Sequence, residues 1–595
     1  MAVLLALSAV PTGHAAVGGA SSASGNSASG NSGSANSGNA VPGTAASGNP
    51  VSPTGATTST SSGTGSNNVA AETAPFVTNT QGTAPFGTSV QLGNFGSVFS
   101  GIQSAFAPPS FASQGITITP SLGAQEQFIT GTYQNGGGRN SEFVTSIRPG
   151  LLVAGERPNL TVAVNYDPQI QIYSNHNYGN TISQSLNAAV DAALIPGALN
   201  LALRGYATTQ STIGGLAPGG YTVLGNNNTT LTQSYSVEPS FQHYFSGAGT
   251  LDLAYVLGIT RQSGNTAYLP NTSLPYFQNG NFTSQTEDAT FTTVPIFYRF
   301  DDIPSVSMTE DTGTGVLNSA HQYFYDNMVR YALTRHALLT ASGGYEDIYY
   351  SGIPPVRIQD ATWSIGFQLT PAENASIIFQ YQHRYGFNAP YFAAIYPITA
   401  RTTLAASYTD ELGTQQQQLG QGVAASSVNS FGLPVSGVSG VPVLLTNQAL
   451  SVQSSLQRQS TLAFSSTTTY SRDSISFSVL RQSQKLVATA PGFAGFSQSS
   501  LSGNVNYTHQ LSEVASFSTY LNYTRTNSIA LGAGTTSSYA ASFTYGYQFS
   551  PSLSGYAQYL LTNQDFIGYG NQYLNNGNNG TSLQNSIIVG IQKTF

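Results

Sequence analysis

Residues 160 to 207 read LTVAVNYDPQIQIYSNHNYGNTISQSLNAAVDAALIPGALNLALRGYA, and their alternation decides the fold. Leu160, Val162, Val164, Tyr166, Ile170 and Ile172 fall on one face; Thr161, Asn165, Asp167, Gln169 and Gln171 fall on the other. A period of two sustained over a dozen residues is the mark of a β-strand. The pattern resumes with Ile182, Leu186 and Val190 opposite Ser183, Ser185, Asn187 and Asp191. Pro196-Gly197 turns the chain, and Leu199, Leu201 and Leu203 then face away from Asn200, Arg204 and Thr208. Strands this long exceed the usual globular length of about 5–6 residues. They match the roughly 9–11 residues that a tilted strand needs to cross a bilayer.

Composition points the same way. Of 595 residues only 7% are charged, against about 25% in a soluble globular protein. A chain so poor in charge either exposes neutral polar surface or exposes little surface to water; a barrel in lipid does the second. Its outside is apolar and its lumen polar, which averages to a mean hydropathy of -0.08. The net charge of -7 offers no footprint for nucleic acid. Absence of Cys suits an envelope compartment without proving one.

The amino terminus divides in two. Residues 1–16 resemble a truncated secretory signal: a short apolar core, then small residues before a cut after Ala15, but no basic start. Either the start is misassigned and the signal truncated, or this is no signal. The run is too short for a membrane helix, and no other stretch reaches that length, so no helical anchor is expected. Residues 17–114 are a low-complexity Ser/Gly/Asn/Ala tract and linker, expected to be disordered. The alternative, adhesin-like repeat, is weakened by the irregular spacing of its Ser-Gly-Asn triplets.

From 115 to 595 the alternating unit recurs. Candidate strands include 116–133, 142–153, 233–245, 250–261, 321–333, 336–350 and a short one at 391–396, with cleaner hairpins from Leu462 onward. Stretches 262–315 and 412–452 read as long loops; within the first, Ala289 to Phe300 is a moderate strand candidate. Short turns fall near 156, 196, 247, 334, 372, 399, 472, 512 and 551. Longer connections fall on the other side, the asymmetry of an outer-membrane barrel. The count is an all-β transmembrane antiparallel barrel of about 20 strands, in the range 18–22. Closure is required, since an open edge in lipid leaves backbone groups unpaired. Tyrosines near strand ends fit interfacial girdles, or simply the strand propensity of Tyr.

Several short motifs extend the reading. They are Thr119-Pro120-Ser121-Leu122, Ile147-Arg148-Pro149-Gly150-Leu151 and Gly343-Gly344-Tyr345-Glu346, with the turns Leu369-Thr370-Pro371 and Ile398-Thr399-Ala400-Arg401. Through them the chain resembles the bacterial outer-membrane β-barrel family of porins associated with exopolysaccharide export. The terminal Phe595, preceded by alternating apolar residues, resembles the closing signature of barrel-assembly substrates; Lys593 interrupts it. The resemblance covers 115–595. It implies an outer-membrane location and a channel, with lipid, lipopolysaccharide and the barrel-assembly machinery as partners. Polysaccharide and periplasmic export components are implied more distantly.

No catalytic or metal constellation stands out. The seven His are scattered and none forms a His-x-x-x-His pair, so neither an enzyme nor a cofactor is expected. Under this register Glu142, Arg148, Asp167, Asp191, Arg204, Asp326, Arg330, Glu346 and Arg384 point inward as lumen-lining candidates. There they either contact polar solute or pair and staple the wall. The leading function is passage or export of saccharide through a neutral-polar lumen. A structural or adhesive surface protein acting through its long loops, and a soluble secreted β-repeat protein, are the alternatives.

Overall fold

The computed structural model describes residues 115–595 except 134–138, 175–179, 212–228, 265, 269–272, 295–298, 373–374, 425, 429–433, 437–449, 451, 529–533 and 568–579. The readings of 1–16 and 17–114 fall outside the described residues.

Chain alternation builds long antiparallel strands. They are β1 (Thr117–Tyr133), β2 (Arg139–Arg157), β3 (Leu160–Tyr166 and Gln169–Tyr173), β4 (Thr181–Ser183 and Ser185–Ile195), β5 (Leu199–Ser211), β6 (Thr229–Phe245) and β7 (Gly249–Gly264). Next come β8 (Gly280–Thr293), β9 (Phe300–Gly313), β10 (Ala320–Thr334), β11 (Ala337–Tyr350), β12 (Val356–Leu369), β13 (Ser376–Arg384), β14 (Phe387–Thr399) and β15 (Thr402–Gly413). A helix, α1 (Gln415–Ala424), precedes β16 (Leu456–Thr469), β17 (Asp473–Ala488), β18 (Gln498–Ser512), β19 (Ala515–Ser528), β20 (Gly534–Ser550), β21 (Leu553–Ile567) and β22 (Gly580–Thr594).

Each strand pairs with the next, and β22 returns to pair with β1 from Ser121↔Thr594 to Thr130↔Asn585. The ring is closed, and the Phe595 N–H reaches the Pro120 carbonyl at 2.9 Å. The sheet holds 24 strand segments, because β3 and β4 are each interrupted once. β3 breaks at Asp167-Pro168, where proline has no N–H to give the ladder. The barrel therefore has 22 strands.

This corrects the expected count of about 20. The stretch 262–315 is no loop: it carries the two strands β8 and β9, paired from Phe282↔Gly313 to Thr290↔Ser305. The candidate strand at Ala289 to Phe300 straddles the connection between them. The short candidate at Tyr391 is part of the full-length β14, and its link to β13 is only Tyr385-Gly386.

Outward rows are apolar and exposed, as in Ile587, Val589 and Ile591 on β22 or Trp363, Ile365 and Phe367 on β12. Inward neighbours are buried and mostly polar: Thr230, Thr232, Ser234, Ser236 and Glu238 follow one another along β6. Aromatic rings mark both ends of the apolar band. Phe245, Tyr331, Tyr396, Tyr470 and Phe549 stand near the short-turn side, and Tyr325, Tyr345, Trp363 and Tyr381 on adjacent strands near the other. Lys593 bends into the short-turn side, its Nζ donating to Ser552 Oγ at 2.9 Å, so it spares the lipid a charge. No helix among the described residues is long and apolar enough to cross a membrane; the strands do so.

Candidate functional site

The site forms where the chain leaves the wall after β15. Thr414 caps α1: its Oγ1 accepts the Gln417 N–H at 3.1 Å, while Gln417 Oε1 accepts the Thr414 N–H at 2.9 Å. This reciprocal pair is a capping box. The first helical bond, Gln418 N–H to Thr414 O, is 3.0 Å. Leu419 and Val423, one turn apart, pack on Tyr206 of β5. Gly420 lies flat against the wall: a Cβ there would meet Thr260 Oγ1 at 2.9 Å and Phe282 at 3.5 Å. Lacking a side chain, it lets the helix approach β7.

Glutamines tie the helix across the lumen. Gln416 Nε2 donates to Gln262 Oε1 of β7 at 3.0 Å. Gln417 Nε2 donates to buried Asp311 of β9 at 2.6 Å, and Gln417 Oε1 accepts from Tyr350 of β11 at 3.3 Å. Gln415 Nε2 reaches Gln484 of β17 at 3.4 Å. From there an amide chain continues, Gln498 to Gln484 and Gln484 to Gln459, each at 2.7 Å. Strands β7 and β17 lie on opposite sides of the ring, yet adjacent side chains of one helical turn touch both. The lumen there is little wider than the helix.

Above the helix, at the long-loop end, an apolar cluster fills the mouth. Phe282, Phe324, Ile348, Tyr350, Tyr385, Leu412 and Leu456 belong to it, with Phe387 and Phe493 packed alongside. Beside it opens a cavity of about 160 Å³ between the ends of β8, α1 and β17.

All nine lumen-lining candidates lie on the wall's polar face, but they do not converge on one centre. Four pair across neighbouring strands: Arg148 with Asp167, and Arg204 with Asp191 at 2.7 Å. Arg330, 1% exposed, pairs with Asp301 at 2.8 Å. Glu346 accepts the backbone N–H groups of Tyr385 and Gly386 at 2.9 and 2.8 Å. Arg384 stacks over Phe324 at 3.9 Å. Glu142 is buried on β2, and Asp326 sits on β10 facing the same side as Arg330. Asp191 is 52% exposed, near the short-turn end.

Other participants escaped the sequence reading. Asp301 and Asp311 sat in the stretch taken as a loop. Asp410 and Arg458, paired through two hydrogen bonds of 2.9 and 2.7 Å, flank the long loop of α1. The helix itself had a readable signal in Thr414-x-x-Gln417, obscured by Gly420 and Gly422.

The closed ring, the apolar exterior and its aromatic girdles define a bacterial outer-membrane β-barrel. No protein-family model and no curated protein matches the chain. Among solved structures it is similar to the FrpB iron transporter from Neisseria meningitidis, at 8% identity and a TM-score of 0.34, over 80% of this chain and 82% of that one. It is also similar to the ferric-catecholate import receptor Fiu from E. coli K12 in its closed form, at 10% identity and 0.41, over 80% and 81%. The siderophore receptor PirA from Acinetobacter baumannii matches at 9% and 0.40, over 80% of each chain. At these identities and scores the likeness decides nothing about ligand or direction of transport.

Proposed function

We propose that this barrel is a non-enzymatic outer-membrane channel for polar saccharide, exopolysaccharide export included, and that α1 closes it. One observation carries the reading: the constriction is lined mostly by neutral amides and hydroxyls, with Asp311 held by Gln417, while Arg148, Arg204, Arg330 and Arg458 are each engaged by a carboxylate of an adjacent strand. Such a lining hydrogen-bonds hydroxyl-rich solute without holding it tightly, and an exchange of one neutral hydrogen bond for another costs little net free energy. Lipopolysaccharide around the outer girdle, the barrel-assembly machinery and periplasmic export components are the partners of this reading.

The test is conductance of the full chain in planar bilayers. Wild-type protein is expected to open rarely, and neutral oligosaccharide to reduce the open current. Gly420→Leu, whose side chain has no room against Thr260, is expected to raise the open time severalfold. Inserted protein that conducts in neither form overturns the proposal.

A further inference from the structure

The 160 Å³ cavity at the mouth is lined by uncharged groups throughout, with Val316, Leu317 and Ala490 among them. Phe282 and Phe493 contribute rings; Asn279, Thr314, Gln416 and Ser454 contribute neutral polar atoms; no lining residue is charged. Their hydrogen bonds leave some valence unspent. Asn279 spends its carbonyl oxygen on the Gly264 N–H at 2.7 Å, leaving its amide N–H groups. Gln416 spends its amide nitrogen on Gln262, leaving an acceptor oxygen. The Ser454 hydroxyl is buried with no hydrogen-bond partner among the described residues. A volume of about 150 Å³ accommodates one six-membered ring, as a dry apolar cavity of that size holds benzene. Here the ring must also satisfy hydroxyl-type donors and acceptors at its rim while its faces meet aromatic carbon.

We propose that this cavity is a binding subsite for a single neutral pyranose unit, the first or last sugar of a chain engaging the channel. The inference rests on the saccharide reading above and narrows it. A pyranose has axial C–H groups for the phenyl faces and equatorial hydroxyls that both give and accept hydrogen bonds. A uronic acid or phosphorylated sugar would bury its charge with no partner and is excluded. The seat is built from both sides of the gate: Gln416 belongs to α1, and Phe282 and Thr314 to the wall and its loop. A bound sugar therefore touches the element that closes the lumen.

Gly280 supplies the variant. A Cβ there would stand 3.5 Å from Thr314 Oγ1 and 3.8 Å from Gln416 Nε2, so Gly280→Leu fills the cavity with no backbone clash at its first atom. Binding is read by saturation-transfer NMR on the detergent-solubilised full chain. The probes are neutral hexaoses of glucose, mannose and galactose, with hexagalacturonate as the charged control. Heat-modifiable gel mobility reports that each variant is folded. At least one neutral hexaose is expected to bind, hexagalacturonate is not, and affinity is expected to fall tenfold or more in Gly280→Leu and severalfold in Ser454→Ala. Equal affinity in wild type and both folded variants overturns the subsite while leaving the channel reading standing. Binding of no neutral hexaose, or equal binding of the charged one, also overturns it. Failure to conduct in the bilayer test strikes the channel reading alone, because this readout needs no current.

Discussion

At the scale of single residues, Glu346 does the most with one side chain. The two-residue link between β13 and β14 holds Tyr385 at φ 57° and Gly386 at φ 70°, both in the left-handed region that hairpin turns of this length require. Glycine accepts that conformation freely; a bulky tyrosine does not. The carboxylate of Glu346, reaching from β11, gathers both turn N–H groups, and the Tyr385 ring meets Phe324 edge-on at 5.9 Å. Glu346→Ala leaves the buried Tyr385 N–H unpaired and the part-buried Gly386 N–H to water, which costs on the order of 2 kcal/mol. The expected outcome is a clear drop in the temperature at which the folded band unfolds on a gel. A drop no larger than that of the exposed, outward-facing Glu287→Ala would show that the turn stands without it. The inward position of Glu346 was legible from alternation. Its task was not, because its partners are backbone groups about forty residues away.

At the scale of elements, what could be read depended on whether a strand faced lipid on one side and polar groups on the other. β3, β4 and β5 show clean alternation and were legible to within a few residues. β9 was not: Asp302 and Glu310 interrupt its outward row of Phe300, Pro304, Val306 and Met308, and inward Ile303 breaks the polar row between Asp301 and Asp311. That broken alternation hid a whole hairpin and lowered the strand count. α1 was missed for a related reason, since a helix surrounded by polar lumen needs no strong apolar stripe and shows only Leu419 and Val423 facing Tyr206. Its cap carries a measurable share of its stability. Thr414→Ala removes the hydroxyl acceptor, a change worth about 1 kcal/mol. Backbone hydrogen exchange at Gln417 and Gln418 is expected to quicken roughly fivefold, with exchange in β18 and β19 unchanged. Unaltered exchange at both glutamines would mean that wall contacts alone hold the helix.

At the scale of the molecule, a barrel in lipid must close on itself, and the absence of cysteine makes closure directly testable. Ala124 on β1 faces Ile591 on β22, the first strand against the last. Cysteines at both positions should form an intramolecular disulfide that links the first strand covalently to the last and shifts the mobility of the denatured band. A pair that never links would mean an open sheet. Connectivity also sets what the ring permits inside it. The segment bearing α1 leaves the wall at the end of β15 and returns at the start of β16, and those two strands pair directly from Thr402↔Thr468 to Gly413↔Gln457. The wall is continuous behind the segment, so under the proposed closure the helix is a cork tied to the rim: withdrawing it would break contacts inside the bore and no rung of the ladder.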